Sequence, residues 1–145
     1  TLCPEFRISW QDKVNTLSEE EKNWLEKYCN IEGVCSTDRL YFHNPDGCEA
    51  CTQVVEINGQ VRGKVGQGIR GRTVIAEVIE TNNRLFKLLK TDGKVAARQF
   101  WINNMQGISR VRHVLHKINE GLVDPLMANR IIPLDEDERL EVDDA

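Results

Sequence analysis

The sequence predicts an α+β protein, a small β subdomain built on a Cys knuckle and a hairpin, followed by a short helical bundle. Three observations carry this. Cys48-Glu49-Ala50-Cys51 follows an Asn44-Pro45-Asp46-Gly47 turn. Apolar residues alternate on both sides of Asn58-Gly59, the strongest short-range hairpin signal. Beyond Asn82 the apolar residues recur every three or four positions, the period of a helix.

The elements follow in order. Cys3-Pro4 favours an extended start, because a residue before proline avoids the α region. Residues 1–16 have little periodicity. Thr16-Leu17-Ser18-Glu19-Glu20-Glu21 holds two overlapping capping boxes, Thr16 with Glu19 and Ser18 with Glu21. The helix that follows carries Leu17, Trp24, Leu25 and Tyr28 on one face and should end near Cys29-Asn30, before Gly33. Leu40-Tyr41-Phe42 reads as a short strand. The knuckle and hairpin come next. Gly68-Ile69-Arg70-Gly71-Arg72 is then a glycine-punctuated turn feeding an apolar strand, Val74–Ile79. Thr81 or Asn82 can cap a helix with Leu85, Phe86, Leu88 and Leu89, broken at Asp92-Gly93. Lys94–Met105 makes a second helix, ended by Gly107. Val111, Val114, Leu115 and Ile118 mark a third, closed by Gly121. Asp124-Pro125 is an N-cap followed by proline at the first helical position. It starts a fourth helix over Leu126–Ile132, stopped by Pro133. Three regions result: residues 1–80, a Cys-bearing β-rich subdomain with one helix and a terminal Gly-Arg-Thr strand; 81–134, the helical bundle; and 135–145, an acidic tail.

At 145 residues the chain can build one ordinary domain or two small ones. No apolar run approaches the roughly 18–20 residues needed to span a bilayer. Thr1-Leu2-Cys3-Pro4 is neither basic nor followed by an apolar core, so no export signal is read, and no initiator Met is present. The chain therefore reads as a piece of something longer. The formal charge is −4; Asp135–Ala145 holds seven acids and one Arg, a net of −6, leaving +2 for the rest. So mild a balance argues against nucleic-acid binding.

Five cysteines stand at 3, 29, 35, 48 and 51. Without an export signal they read as reduced thiols. Zinc needs four soft or borderline ligands, and Cys48 and Cys51 supply two from one turn. Cys3 is a third candidate, but Phe6 stands where its Cys-x-x-Cys partner would be. Cys35, Cys29 or His43 could complete the set, and Cys3, Cys35, Cys48 and Cys51 form the candidate metal ligands. Gly59–Val65 is not a phosphate loop: its glycines are too close and Lys64 precedes Val65, not Ser or Thr. His113 and His116 sit off the apolar helix stripe and read as a solvated face. No nucleophile–base pair or paired carboxylates stand out.

Leu2-Cys3-Pro4, Gly47-Cys48-x-x-Cys51 and Gly68-x-x-Gly71-Arg72-Thr73-x-x-x-Glu77-Val78-Ile79, in that order, resemble the C-terminal part of the secretion ATPases, the hexameric motors of type IV pilus assembly and type II secretion. The helix ending in Gly121-Leu122 fits as well. The segment between Cys51 and Gly68 and the Gly-Arg-Thr-Val-Ile-Ala-Glu-Val wording are closest to the type IVb and conjugative thin-pilus branch. The resemblance covers about residues 2–133. It implies a cytoplasmic protein peripherally associated with the inner membrane. ATP and magnesium would bind in an upstream core that these residues lack, so the chain alone is not expected to be an active ATPase. Its partners would be that core, neighbouring subunits of a hexamer and the inner-membrane platform protein. Many relatives hold zinc on four cysteines, of which Cys3, Cys48 and Cys51 match three. Val74–Ile79 would complete the core's sheet, and Arg70 and Arg72 would contact the core or a neighbouring subunit. The alternative is a stand-alone zinc-ribbon binding module of a larger nucleic-acid-handling enzyme.

Overall fold

Ser18 starts the principal helix of the first half. The computed structural model describes residues 1–138; the remainder of the acidic stretch, residues 139–145, lies outside the described residues. The Ser18 hydroxyl accepts from the Glu21 N–H while the Glu21 carboxylate accepts from the Ser18 N–H, a complete capping box. Of the two overlapping boxes, the one at Ser18 forms. Three glutamates occupy the first turn, where they meet the positive end of the helix dipole.

Before it lie β1 (Ile8–Ser9) and a single helical turn, α1 (Trp10–Lys13); the Ser18-capped helix is α2 (Glu19–Cys29). A turn at Gly33 then returns the chain to β2 (Tyr41–Phe42), which pairs antiparallel with β1, Ile8 opposite Phe42. β1 and α1 leave no mark in the sequence, since two-residue strands and one-turn helices are too short to show a period. The hairpin forms as read: β3 (Gln53–Ile57) pairs with β4 (Gln60–Val65) around Asn58-Gly59, with a bulge after Val55. Every residue of both strands is exposed.

Four helices follow. Asn82, not Thr81, caps α3 (Asn83–Thr91) by accepting from the Leu85 N–H. α4 (Gly93–Asn104) succeeds it directly, and α5 (Arg110–Asn119) and α6 (Pro125–Asn129) carry Ser109 and Asp124 as their caps. The helices divide between two cores. Leu85 of α3 and Ala97 and Trp101 of α4 make a small one of their own. α5 and α6 instead contribute Val111, Val114, Leu115, Ile118 and Ala128 to the main core with Leu25, Cys29, Leu40 and Phe42. The main core thus draws on residues from both sides of position 80.

An ionic latch joins the two cores. Arg98 of α4 reaches Glu77 at 2.7 Å and Asp137 at 2.9 Å. Ser109 donates to Asp137, and the Arg110 N–H donates to Glu77. Arg110 also pairs with Glu136. The beginning of the expected acidic tail is therefore folded back onto the body through Glu136 and Asp137, because two arginines face it. The expected strand Val74–Ile79 is not a strand. No residue from 70 to 82 joins a sheet, and Val74 and Val78 are exposed at 73% and 80%. The segment is held by side chains instead: Glu77 in the latch and His113 at the Ala76 backbone. Its apolar alternation was legible, but a strand also needs a ladder partner, and the segment pairs with neither sheet among the described residues.

Gly107 limits the small core. A Cβ there would meet the Trp101 ring at 2.3 Å, whereas one at Gly63 in β4 would meet nothing within 4 Å. Gly107→Ala is expected to cost about 2 kcal/mol, as overpacking does, read as a lower urea midpoint. Gly63→Ala should leave the midpoint nearly unchanged.

Candidate metal centre

Two turns, distant in sequence, bring three thiols together. The second turn is local. β2 runs into His43, whose N–H donates to the Asp124 carboxylate at 2.8 Å. The Asn44-Pro45-Asp46-Gly47 turn follows, and Cys48 opens the knuckle. Its carbonyl accepts from the Cys51 and Thr52 N–H groups at 3.1 and 2.9 Å. This wraps Cys51 back, so that the two sulfurs stand 3.6 Å apart.

The first turn is carried there by the N-terminal segment. Leu2 bridges antiparallel to Ile69. The Thr1 ammonium donates to the Gly71 carbonyl at 2.6 Å, the Arg70 N–H to the Thr1 carbonyl at 2.8 Å, and the Cys3 N–H to the Gly68 carbonyl at 2.9 Å. The Leu2 N–H donates to the Leu122 carbonyl beyond α5. Cys3 is thereby fully buried with its sulfur 3.6 Å from that of Cys48. The three sulfurs all lie within 4.8 Å of one another, close enough to hold a metal ion.

Gly68 serves both arms. Its carbonyl accepts from Cys3, and its N–H donates to the Cys51 sulfur at 3.2 Å. Its φ is +75°, and a Cβ would stand 2.1 Å from the Asn44 carbonyl and 2.8 Å from the His43 ring. Only glycine fits both the backbone conformation and the space. The sequence marked Gly68 as a turn residue; its bond to Cys51 spans seventeen positions and has no local signal. Asp124 is a similar case. Its cap on α6 was legible, but the same buried carboxylate also holds His43 at the root of the knuckle.

The electrostatics favour a thiolate at Cys51. Burial pushes its pKa up, but N–H donation from Cys48 and Gly68 and hydrogen bonds from the Cys48 thiol and the Thr52 hydroxyl outweigh this and hold it at about 6. Burial and the neighbouring sulfurs of Cys51 and Cys3 push the Cys48 thiol up. A metal ligand must be deprotonated, so one ligand is ready at neutral pH. Three sulfur donors with N–H support suit a soft or borderline cation.

The remaining candidates fall elsewhere. Cys35 does not join the cluster. It is buried in the main core with Cys29, and burial raises its pKa to about 11. Cys29, buried further, is raised still higher. Both behave as small apolar side chains. The reason is that the Gly33 turn pairs Cys35 with Ile31 at the end of α2, so it faces the core rather than the knuckle. His43 lies one layer out, its Nε2 2.7 Å from the Gln67 carbonyl. His113 bonds Ala76 and does not approach the thiols. Arg70 and Arg72 are exposed, Arg70 with its guanidinium 3.6 Å from Glu5.

The depressed pKa of Cys51 has a pH signature in the metal-free protein. Its ionisation stabilises the fold fully above the ordinary thiol value of 9.0, and this contribution is lost as pH falls toward about 6. Ultraviolet absorbance should show a thiolate titrating near pH 6, absent in Cys51→Ser. A titration with no step below pH 8 would overturn the thiolate at Cys51. No protein-family model and no curated protein sequence matches this chain, so the chemistry of the centre rests on its own residues.

Proposed function

We propose that the chain is the C-terminal region of a hexameric secretion ATPase that powers type IV pilus assembly or type II secretion, and that Cys3, Cys48 and Cys51 hold zinc as the staple of its β subdomain. What supports this is a coincidence of sequence and place. Of the residues that carry the resemblance, Cys3, Cys48, Cys51, Gly68 and Gly71 meet at one site, the glycines bonding the N-terminal segment and the Cys51 sulfur, while Glu77 lies apart on Arg98. A metal centre there would tie together positions 45 residues apart, a closure that no local turn supplies.

In the intact motor the upstream core would bind ATP and magnesium. This region would pass nucleotide-driven movement to the inner-membrane platform protein, and Arg70 and Arg72 would contact the core or a neighbouring subunit. The protein would be cytoplasmic and peripherally attached; no helix among the described residues is long and apolar enough to cross a membrane. Zinc here would be structural: the three cysteines would orient it, and it would contribute its binding energy to folding.

Two measurements test the two halves of the proposal. The coding sequence preceding Thr1 should encode Gly-x4-Gly-Lys-Ser/Thr within about one large domain's length, roughly 150–200 residues. An in-frame upstream sequence without that loop would sink the motor assignment. Separately, elemental analysis should find zinc in stoichiometric amount. At free zinc about 1,000-fold above Kd, the loaded protein should gain about 4 kcal/mol over the metal-free form. Cys48→Ser should abolish that gain, and a zinc-independent melting curve for the unaltered chain would count against the metal.

A further inference from the structure

The two arms of the cysteine site are built alike and filled unlike. The Cys3 carbonyl accepts from the Phe6 and Arg7 N–H groups at 3.3 and 3.1 Å, the same pattern with which the Cys48 carbonyl accepts from Cys51 and Thr52. Each turn brings the residue three positions on back over the first. In the second arm that residue is Cys51, a ligand. In the first it is Phe6, which cannot be one.

Phe6 is no core residue. It is 39% exposed and belongs to neither hydrophobic core. No other side chain takes its place. Among the described His, Cys, Asp and Glu residues, only Cys3, Cys48 and Cys51 gather into a ligand group. His43 is engaged by Gln67, and Cys29 and Cys35 are buried in the main core. Cys48, the sulfur close to both others, is itself partly exposed, as is Phe6, so solvent reaches both arms of the site.

Taking the cluster as a metal centre, as above, we propose that it is a three-thiolate site whose fourth coordination position, at the Phe6 corner, is open to an exchangeable neutral donor: water at rest, and an imidazole nitrogen when one is offered. The missing side-chain donor leaves the position to an outside one. Three thiolates on a divalent cation already carry one net negative charge, and with Phe6 offering no donor atom the fourth position is left to a neutral molecule from solvent. Tetrahedral metals with three protein ligands keep such a position for an outside molecule, whereas structural sites close it with a fourth side chain. The site is therefore built as a structural staple but keeps the coordination of an open one.

Cobalt(II) reports this directly, because its visible spectrum depends on the number and kind of its ligands. The unaltered chain should bind Co(II) with the spectrum of three sulfurs and one lighter donor, and imidazole should shift that spectrum saturably. Phe6→Cys should give a four-sulfur spectrum, remove the imidazole response and tighten Co(II) binding about tenfold or more, equivalent to at least about 1.4 kcal/mol. Because the imidazole titration needs only the unaltered chain, the test survives a Phe6→Cys protein that fails to fold. A four-sulfur spectrum in the unaltered chain, indifferent to imidazole, would overturn the open position while leaving a metal centre standing. Failure of the unaltered chain to bind Co(II) at all would overturn both.

Discussion

Gly68 is the residue on which the rest of the site depends. Its carbonyl anchors Cys3 and its N–H anchors the sulfur of Cys51. The two groups belong to the peptide units on either side of the Gly68 Cα, so its φ of +75° sets the angle between them and links two chain segments that share no sequence neighbourhood. The arrangement holds only because the residue has no Cβ, since the Asn44 carbonyl and the His43 ring occupy the space a side chain would need. A larger residue at 68 would separate the arms. Cys48 and Cys51 would remain a turn, but no longer part of a three-sulfur centre.

The helical half supports this point from below. Asp124 caps α6 with one carboxylate oxygen and holds the His43 N–H with the other. The Leu122 carbonyl receives the Leu2 N–H. The arginine of the N-terminal segment, Arg7, lies over the Tyr41 ring at 3.8 Å and donates to the Gly121 carbonyl. The Cys site is therefore clamped to the β1–β2 sheet and to the end of α5 on its inner side. On its outer side it carries the β3–β4 hairpin, which has no packing partner among the described residues and leaves and rejoins the body at the knuckle. An isolated two-stranded hairpin is marginal in water. Its firmness at the root comes from the same turn that presents Cys48 and Cys51.

Much was legible locally. Ser18 with Glu21, Asn82 and Asp124-Pro125 act within three or four positions of themselves, and the helices they cap begin where such side chains can satisfy free N–H groups. Asn58-Gly59 reverses the hairpin because its two residues take the positive φ values the turn requires. The weaknesses lie where the partner is remote. Val74–Ile79 alternates like a strand yet finds no ladder. Glu136 and Asp137 read as solvated tail yet answer Arg110 and Arg98. α5 and α6 look like continuations of the α3–α4 pair yet bury their apolar stripes against α2 and β2.

By itself, the sequence determined the α+β class, the knuckle, the hairpin and the helix caps, all set by residues within a few bonds of one another. It also named Cys3, Cys35, Cys48 and Cys51 as thiols with ligand chemistry. Tertiary structure alone decided which cysteines meet. Cys3 crosses 45 positions to reach Cys48, while Cys35, only thirteen positions from Cys48, turns into the core. Sequence distance carries no information about that choice. It is made by the Leu2–Ile69 bridge, the bonds at Gly68 and the apolar surface that α2 offers to Cys35, each a contact between segments the chain must first fold to bring together.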